Sequence, residues 1–411
     1  MIKNRNIVVI GIQPWDIEIG SNCKNIAIEF AKDNNVLYVN SPLDRISSLK
    51  DKKSPKVAKR LEVVKGKRKA LSQIDDRLWE FNPQTITESI NRIPSAMVFD
   101  NLNKINSRRF GREINKAIEH LKMENFILFN DSSMFLGLYL DKYLTSESYI
   151  YYIRDNLVNS PFPYWNTHGK RIEPKLISKA NAVVTNSLYY AEYAKQYNPD
   201  SYMVGQGCDT SLFDFKTREI KTATELKNIS SPVIGYVGNL AGIRLDIDLL
   251  EHIVRSKPAW QLVLVGPEDE AFKKSDLHGF PNVHFLGSKP PDSLPEFISG
   301  FDVCINPQVL NITTIGNYPR KIDEYLAMGK PVVATYTKAM EYFKDFTYLG
   351  KTKEDYVRLI SRALEENTPE VAMRRRDYAL THSWENNVKA IYDVMETSLK
   401  NEKTNINIVR S

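Results

Sequence analysis

Residues 317–335, NYPRKIDEYLAMGKPVVAT, decide the reading of the chain. Pro319 suits the first position of a helix, where its fixed φ and missing N–H cost nothing. Ile322, Tyr325 and Leu326 recur at helical spacing, and Gly329 followed by Lys330-Pro331 is a stop signal. Pro331-Val332-Val333-Ala334 then opens a buried strand. A second stripe of the helix carries Arg320, Lys321 and Glu324 at i/i+3 and i/i+4 spacing. Two cations in a first turn oppose the helix macrodipole, which favours anions at that end. An external anion seated on the leading end, with Arg320 and Lys321 closing around it, resolves the conflict.

Outward from this stretch, 411 residues exceed one ordinary core, so two domains are expected. Hydrophobic content of 42% and charged content of 26% are those of a water-soluble globular chain. Cys23, Cys208 and Cys304 are scattered with neither disulfide nor metal spacing, which suits a reduced, cytoplasmic compartment. The apolar run at residues 7–12 is too short for a signal segment or a membrane span and reads as a strand. Charge is uneven. Residues 45–69 hold eleven Lys and Arg against Asp51 and Glu62, or +9, while the whole chain is +6. Such a block suggests a partner surface of negative charge, with anionic lipid as one candidate, or else a solvated loop and helix face. Nucleic acid is not expected, because no reading motif or aromatic-interleaved stripe accompanies it.

Residues 7–12, a helix from about residue 22 to 32 capped by Ser21 or Asn22, and residues 36–39 form a strand–helix–strand opening of the doubly wound kind. Its first loop lacks G-x-G-x-x-G, which argues against a nicotinamide-dependent enzyme. Met97-Val98-Phe99 reads as a strand and residues 108–120 as a helix. Strands at 126–129, 149–153 and 182–185 each end in polar residues, including Asp131, Arg154 and Asp155. Ligands of open α/β sheets lie outside such carboxyl ends, so these three are site candidates. Residues 216–231 are polar and read as a linker between domains at 1–215 and 232–382. Strands are expected at 233–238, 261–265, 283–286 and 301–306, with helices near 354–366, 370–381 and 383–399. Glu268-Asp269-Glu270 lacks a histidine and sits in a turn, so no metal site is expected there.

The pattern P-x-K-x-x-E-Y-L-A-x-G-K-P-V-V over residues 319–333 resembles the nucleotide-sugar-binding segment of GT-B glycosyltransferases, in particular the retaining family 4 group (glycosyl transferases group 1). Gly207-Cys208-Asp209 before Phe213 is similar to the segment that closes the first domain in that family. The resemblance implies an α/β fold of two Rossmann-like, doubly wound domains facing a central cleft, with a C-terminal helix (383–411) crossing back to the first domain. It also implies a metal-independent hexosyltransferase that retains anomeric configuration, needs no cofactor and uses a nucleotide diphosphate sugar as donor. Arg244 and Lys321 would meet the diphosphate, together with Arg320, Asn317, Gly238 and Asn239. Glu324 would bind the ribose, and the loop holding Lys289 would hold the base. Gly20 would let backbone approach the donor phosphates. Asn311, Thr313 and Thr314 would carry sugar contacts, and Asp155 would assist at the sugar or acceptor. Two departures stand out: Gly316 replaces a customary Glu, and Asn239 replaces one of two customary cations. The expected acceptor is a saccharide or lipid-linked saccharide, and the expected setting is cytoplasmic, at the inner face of a membrane through residues 45–69. A sugar-nucleotide epimerase of the same architecture and a catalytically silent binding protein are the alternatives.

Overall fold

The computed structural model describes residues 2–16, 21–159 and 164–410, with side chains described as far as residue 401. It divides into two compact units, one of residues 1–205 with 387–411 and one of residues 206–386.

In the first unit the strands are β1 (Asn6–Gly11), β2 (Asn35–Asn40), β3 (Leu43–Asp44), β4 (Leu71–Asp75), β5 (Leu78–Phe81), β6 (Ile86–Thr87), β7 (Phe126–Asp131), β8 (Ser148–Ile153), β9 (Ala182–Thr185) and β10 (Ser201–Met203). Eight of them form one sheet in the order β10-β9-β8-β7-β1-β2-β5-β4, parallel except for the β4–β5 hairpin at its edge. β1, β7 and β8 are almost wholly buried along their length, the near-continuous apolar pattern of a parallel sheet covered on both faces. Ser21 caps the Asn22–Ala31 helix as its sequence predicts, accepting from the Lys24 N–H. Met97-Val98-Phe99 is not a strand. Ser95 accepts from the Val98 N–H and starts a helix, Ala96–Leu121, in which Phe99 is buried while Met97 and Val98 are exposed. The last helix, Trp384–Arg410, packs into this unit from residue 387 onward. There Asn387 donates to the Val204 and Gly205 carbonyls, Tyr392 stacks on Phe30, and Ser398 pairs with Ser148 at 2.7 Å.

The second unit contains β11 (Val233–Val237), β12 (Gln261–Val265), β13 (Val283–Gly287), β14 (Val303–Asn306), β15 (Val332–Thr335) and β16 (Tyr348–Gly350). All run parallel in the order β13-β12-β11-β14-β15-β16. This is the 3-2-1-4-5-6 arrangement of a doubly wound domain, whose order reverses between β11 and β14. Alternate strand residues feed two apolar layers: Val237, Val263 and Cys304 on one face, Tyr236, Leu264 and Ile305 on the other. The helices expected near the end are Lys353–Glu365, started by a Thr352/Asp355 capping box, and Pro369–Leu380. Among the described residues no helix is long and apolar enough to cross a membrane.

Candidate functional site

The 317–335 stretch forms the predicted helix, Lys321–Ala327, and the predicted strand, β15. Pro319 lies just ahead of the helix rather than in it, its carbonyl accepting from the Ile322 N–H at 2.9 Å. Ile322, Tyr325 and Leu326 are fully buried. The helix stops at Gly329, which takes φ +70° and lets its N–H and that of Lys330 close on the carbonyls of Leu326 and Tyr325.

Two ties fix this helix to the last residues of β11. The Val237 N–H donates to the Tyr325 hydroxyl at 2.8 Å. Lys321 Nζ donates to the Tyr236 hydroxyl and lies 3.9 Å from the centre of its ring. The chain then turns at Gly238, whose φ of +140° disfavours any residue with a Cβ; a Cβ here would lie 2.8 Å from Lys321 Nζ. The ammonium of Lys321 is thus held against backbone at the carboxyl end of β11. Tyr236 was not foreseen, since in the apolar run VIGYV nothing distinguishes it from core.

The next loop brings in Arg244. Its own carbonyl accepts from the Val309 N–H at 2.8 Å, Leu245 bridges to Gln308, and the Ile243 carbonyl accepts from Asn311 Nδ2. The loop leaving β11 is therefore laced to the loop leaving β14, at the reversal point of the sheet. Arg244 is exposed, and its guanidinium has no hydrogen bond or ion pair among the described residues. Arg320 likewise has none. Glu324 is half-buried without a hydrogen-bond partner among the described residues. Burial pushes its carboxyl up, while Arg320 and Lys321 pull the other way. Arg244, on the loop leaving β11, and Arg320, Lys321 and Glu324, on the turn and helix before β15, thus lie on the elements that flank the reversal point, where such sheets hold ligands.

Other predicted residues have different surroundings. Asn239 is exposed, and its carbonyl lies 3.4 Å from the Tyr236 hydroxyl. The Asn317 N–H closes a turn on Thr314. Asn311 Oδ1 accepts from the Thr313 and Thr314 N–H groups at 2.9 and 3.0 Å, so its side chain shapes the loop. Thr314 is buried, with its hydroxyl turned to the Val309 carbonyl. Lys289 pairs with Glu225 at 3.0 Å. The acidic run is split among separate partners: Glu268 with His278, Glu270 with Lys273, and Asp269 with the N–H groups of Gly242, Ala271 and Phe272. Among the described residues no group of three or more His, Cys, Asp or Glu side chains could hold a metal ion. Gly20 lies outside the described residues.

Beneath the Lys321 helix sits a buried network that sequence reasoning missed. Asp323 accepts from the Tyr318 hydroxyl at 2.8 Å and faces His382 Nδ1 at 2.6 Å; His382 Nε2 lies 3.0 Å from the Tyr342 hydroxyl. Burial pushes the Asp323 carboxyl up, against His382. Asp323 shares a helix face with Leu326 and Ala327, and a carboxylate on an apolar stripe was the available signal.

In the first unit, Asp131, Arg154 and Asp155 do come together. Arg154 donates to fully buried Asp131 at 2.8 Å and to Asp155, 49% exposed, at 3.1 Å. Burial raises the Asp131 carboxyl, opposed by Arg154.

Two parallel sheets of this kind, each with its charged residues at the strand carboxyl ends, define the GT-B class of fold, and solved structures agree. The chain matches sucrose-phosphate synthase from Thermosynechococcus elongatus with a TM-score of 0.65 at 13% identity, covering 96% of this chain and 99% of that one. It matches Anabaena Alr3699/HepE, solved in complex with UDP and glucose, with a TM-score of 0.61 at 15% identity, covering 96% and 100%. Residues 231–366 match the family model described as glycosyl transferases group 1. A putative teichuronic acid biosynthesis glycosyltransferase, TuaH of Bacillus subtilis (strain 168), is 26% identical over 228 residues, 52% of this chain and 56% of the relative. The chain thus spans little more than half the length of that curated relative. Residues 231–366 are thus similar to the group 1 glycosyltransferases, and part of the chain is similar to TuaH.

Proposed function

We propose that this protein transfers a sugar from a nucleotide diphosphate donor to a hydroxyl of a saccharide or lipid-linked acceptor. The observation that carries the proposal is the set of cations without an ion-pair contact among the described residues, Arg244, Arg320 and Lys321, on the elements that flank the reversal point of the second sheet. As the bond between the anomeric carbon and the diphosphate oxygen breaks, negative charge grows on the leaving group. Arg244 and Lys321 neutralise that charge, an electrostatic stabilisation aimed at the transition state. Arg320, Gly238, Asn239, Thr313 and Asn317 line the donor, with the Lys289 loop completing its surroundings. Glu324 accepts from the ribose hydroxyls. The acceptor oxygen forms the new glycosidic bond and gives its proton to the departing phosphate. Retention of configuration and independence of metal belong to the same proposal, as does assistance by Asp155 at the sugar or acceptor.

The group 1 family match and the structural likeness to a protein solved with UDP and glucose support a nucleotide-sugar donor. The likeness to TuaH supports a role in cell-surface polysaccharide synthesis. We extend the proposal to a cytoplasmic setting, with a lipid-linked acceptor at the inner face of a membrane. Thermal shift with UDP, ADP, GDP and CDP tests the donor half, because a ligand at a hundred times its Kd adds about 2.7 kcal/mol of stability. One diphosphate is expected to raise Tm in wild type and much less in Arg244→Ala; equal, negligible shifts in both would end the reading. Product analysis tests the rest: an altered nucleotide sugar released without acceptor would mark an epimerase instead.

A further inference from the structure

The basic block at residues 45–69 folds into two short helices of the first unit, Arg45–Lys50 and Pro55–Val64. Three of its eleven cations are engaged. Arg45 pairs with Glu88, Lys59 with Asp16, and Arg60 donates to the Ser41 carbonyl. The other eight, Lys50, Lys52, Lys53, Lys56, Lys65, Lys67, Arg68 and Lys69, are exposed. Their side chains have no hydrogen bond or ion pair among the described residues. Among these cations the first helix also exposes two large apolar side chains, Ile46 at 45% and Leu49 at 62%. At i/i+3 they share one face, while Ser48 of the same helix is buried. A free face bearing both uncompensated positive charge and bare aliphatic groups is poorly suited to water alone.

The location adds a second point. Asp16 lies in the loop leaving β1, and Ser41 directly follows β2. Lys59 and Arg60 therefore fasten the basic lobe to the carboxyl edge of the first sheet, the edge that also carries Asp131, Arg154 and Asp155.

We propose that this lobe docks on an anionic lipid surface, with the cations of residues 50–69 against the headgroups and Ile46 and Leu49 entering between them. Charge complementarity selects the partner's sign, and the exposed aliphatic pair selects a lipid surface over a polynucleotide, whose phosphates offer nothing to an isoleucine or a leucine. The membrane is then met on the edge of the unit where the acceptor-side candidates lie, so a lipid-linked saccharide is taken directly from the leaflet. This last step rests on the proposed transferase reading; the docking itself does not.

The test is co-sedimentation of the full chain with phosphatidylcholine vesicles, with and without about a third of phosphatidylglycerol. Binding is expected only with the anionic lipid. Replacing Lys50, Lys52, Lys53 and Lys56 together by Ser lowers partitioning about 10²–10³-fold, at roughly fivefold per cation. Ile46→Ser with Leu49→Ser lowers it roughly tenfold more, in a manner that salt does not reproduce. The nucleoside-diphosphate thermal shift, retained in both variants, shows that they are folded. Binding that ignores phosphatidylglycerol, or survives both sets of substitutions, overturns the proposal. So does an oligonucleotide that binds more tightly than vesicles and is indifferent to Ile46 and Leu49. Vesicle binding without any nucleoside-diphosphate response would overturn the donor reading and leave the docking surface standing.

Discussion

The two sheets carry their charged residues at the same end, but they dispose of the charge in opposite ways. In the first unit Arg154 is spent within the protein: it is clamped to buried Asp131 and to Asp155. In the second, the Arg244 and Arg320 guanidinium groups make no hydrogen bond or ion pair among the described residues, and Lys321 is bound to the hydroxyl of Tyr236. An internal ion pair holds a fold in place, whereas a cation left over at a strand's carboxyl end is available to a ligand. Two similar sheets thus differ at their strand ends: in the first, Asp131, Arg154 and Asp155 are closed on one another, and in the second the cations are left for an anion.

Exchanging one arginine from each unit for alanine puts that contrast at greatest risk. Arg154→Ala removes the partner of a carboxylate with no exposure, and breaking such a buried pair costs about 3–5 kcal/mol. Denaturant unfolding should show that loss, easing toward acid pH as Asp131 takes up a proton. Arg244→Ala, at an exposed and unpaired position, should leave stability within about 0.5 kcal/mol. Similar losses in the two variants would erase the distinction.

Turnover should invert the ranking within the second unit. Arg244→Ala and Lys321→Ala are each expected to lower kcat by about 10²–10³, the scale of losing one donor aimed at developing charge. Steady-state kinetics with a responsive nucleotide sugar provides the measure. Near-normal kcat in both variants would remove these cations from the chemistry while leaving the fold as described.

Local signals account for the part of this arrangement that the sequence made readable. Residues 317–335 carry helical spacing, a glycine stop and a strand start within nineteen residues, and helix and strand form there. Arg244 came from the family resemblance, and the structure leaves it exposed on the loop leaving β11. What escaped is long-range. Asp323 and His382 are 59 residues apart, and nothing local to either announces the other. Tyr236 looks like any aromatic of a buried strand until Lys321 is placed against its hydroxyl. Met97-Val98-Phe99 satisfied a strand pattern by composition, yet Ser95 caps a 26-residue helix whose buried stripe starts with Phe99. The β4–β5 hairpin went unread because its edge strand LSQID is largely polar, as an unprotected sheet edge favours.

A pH titration sharpens the same comparison. Glu173 in the first unit is buried and accepts from the Tyr151 and Tyr193 hydroxyls, and burial pushes its carboxyl up to about 7 against those bonds. With the folded value above the unfolded one, the folded protein binds the extra proton. Stability is therefore full in acid and is lost as pH rises through the unfolded value toward about 7, by about 3 kcal/mol in all. Glu173→Gln should flatten that slope between about pH 5 and 8. An unchanged slope in the variant would show that Glu173 is not the group responsible.

The smallest effect probes how closely backbone and cation are fitted in the second unit. Gly238→Ala places a Cβ at φ +140°, 2.8 Å from Lys321 Nζ and 3.0 Å from the Tyr236 hydroxyl. Backbone strain of this kind costs about 1–2 kcal/mol. The nearer contact is the tip of a flexible side chain, so the ammonium swings away rather than the strand breaking. The nucleoside-diphosphate Kd should then rise about tenfold, or about 1.4 kcal/mol, with the protein still folded. Combining Gly238→Ala with Lys321→Ala separates the two costs. If the glycine matters through the ammonium, the double variant binds no worse than Lys321→Ala alone; a further tenfold loss would mean that the backbone itself approaches the ligand.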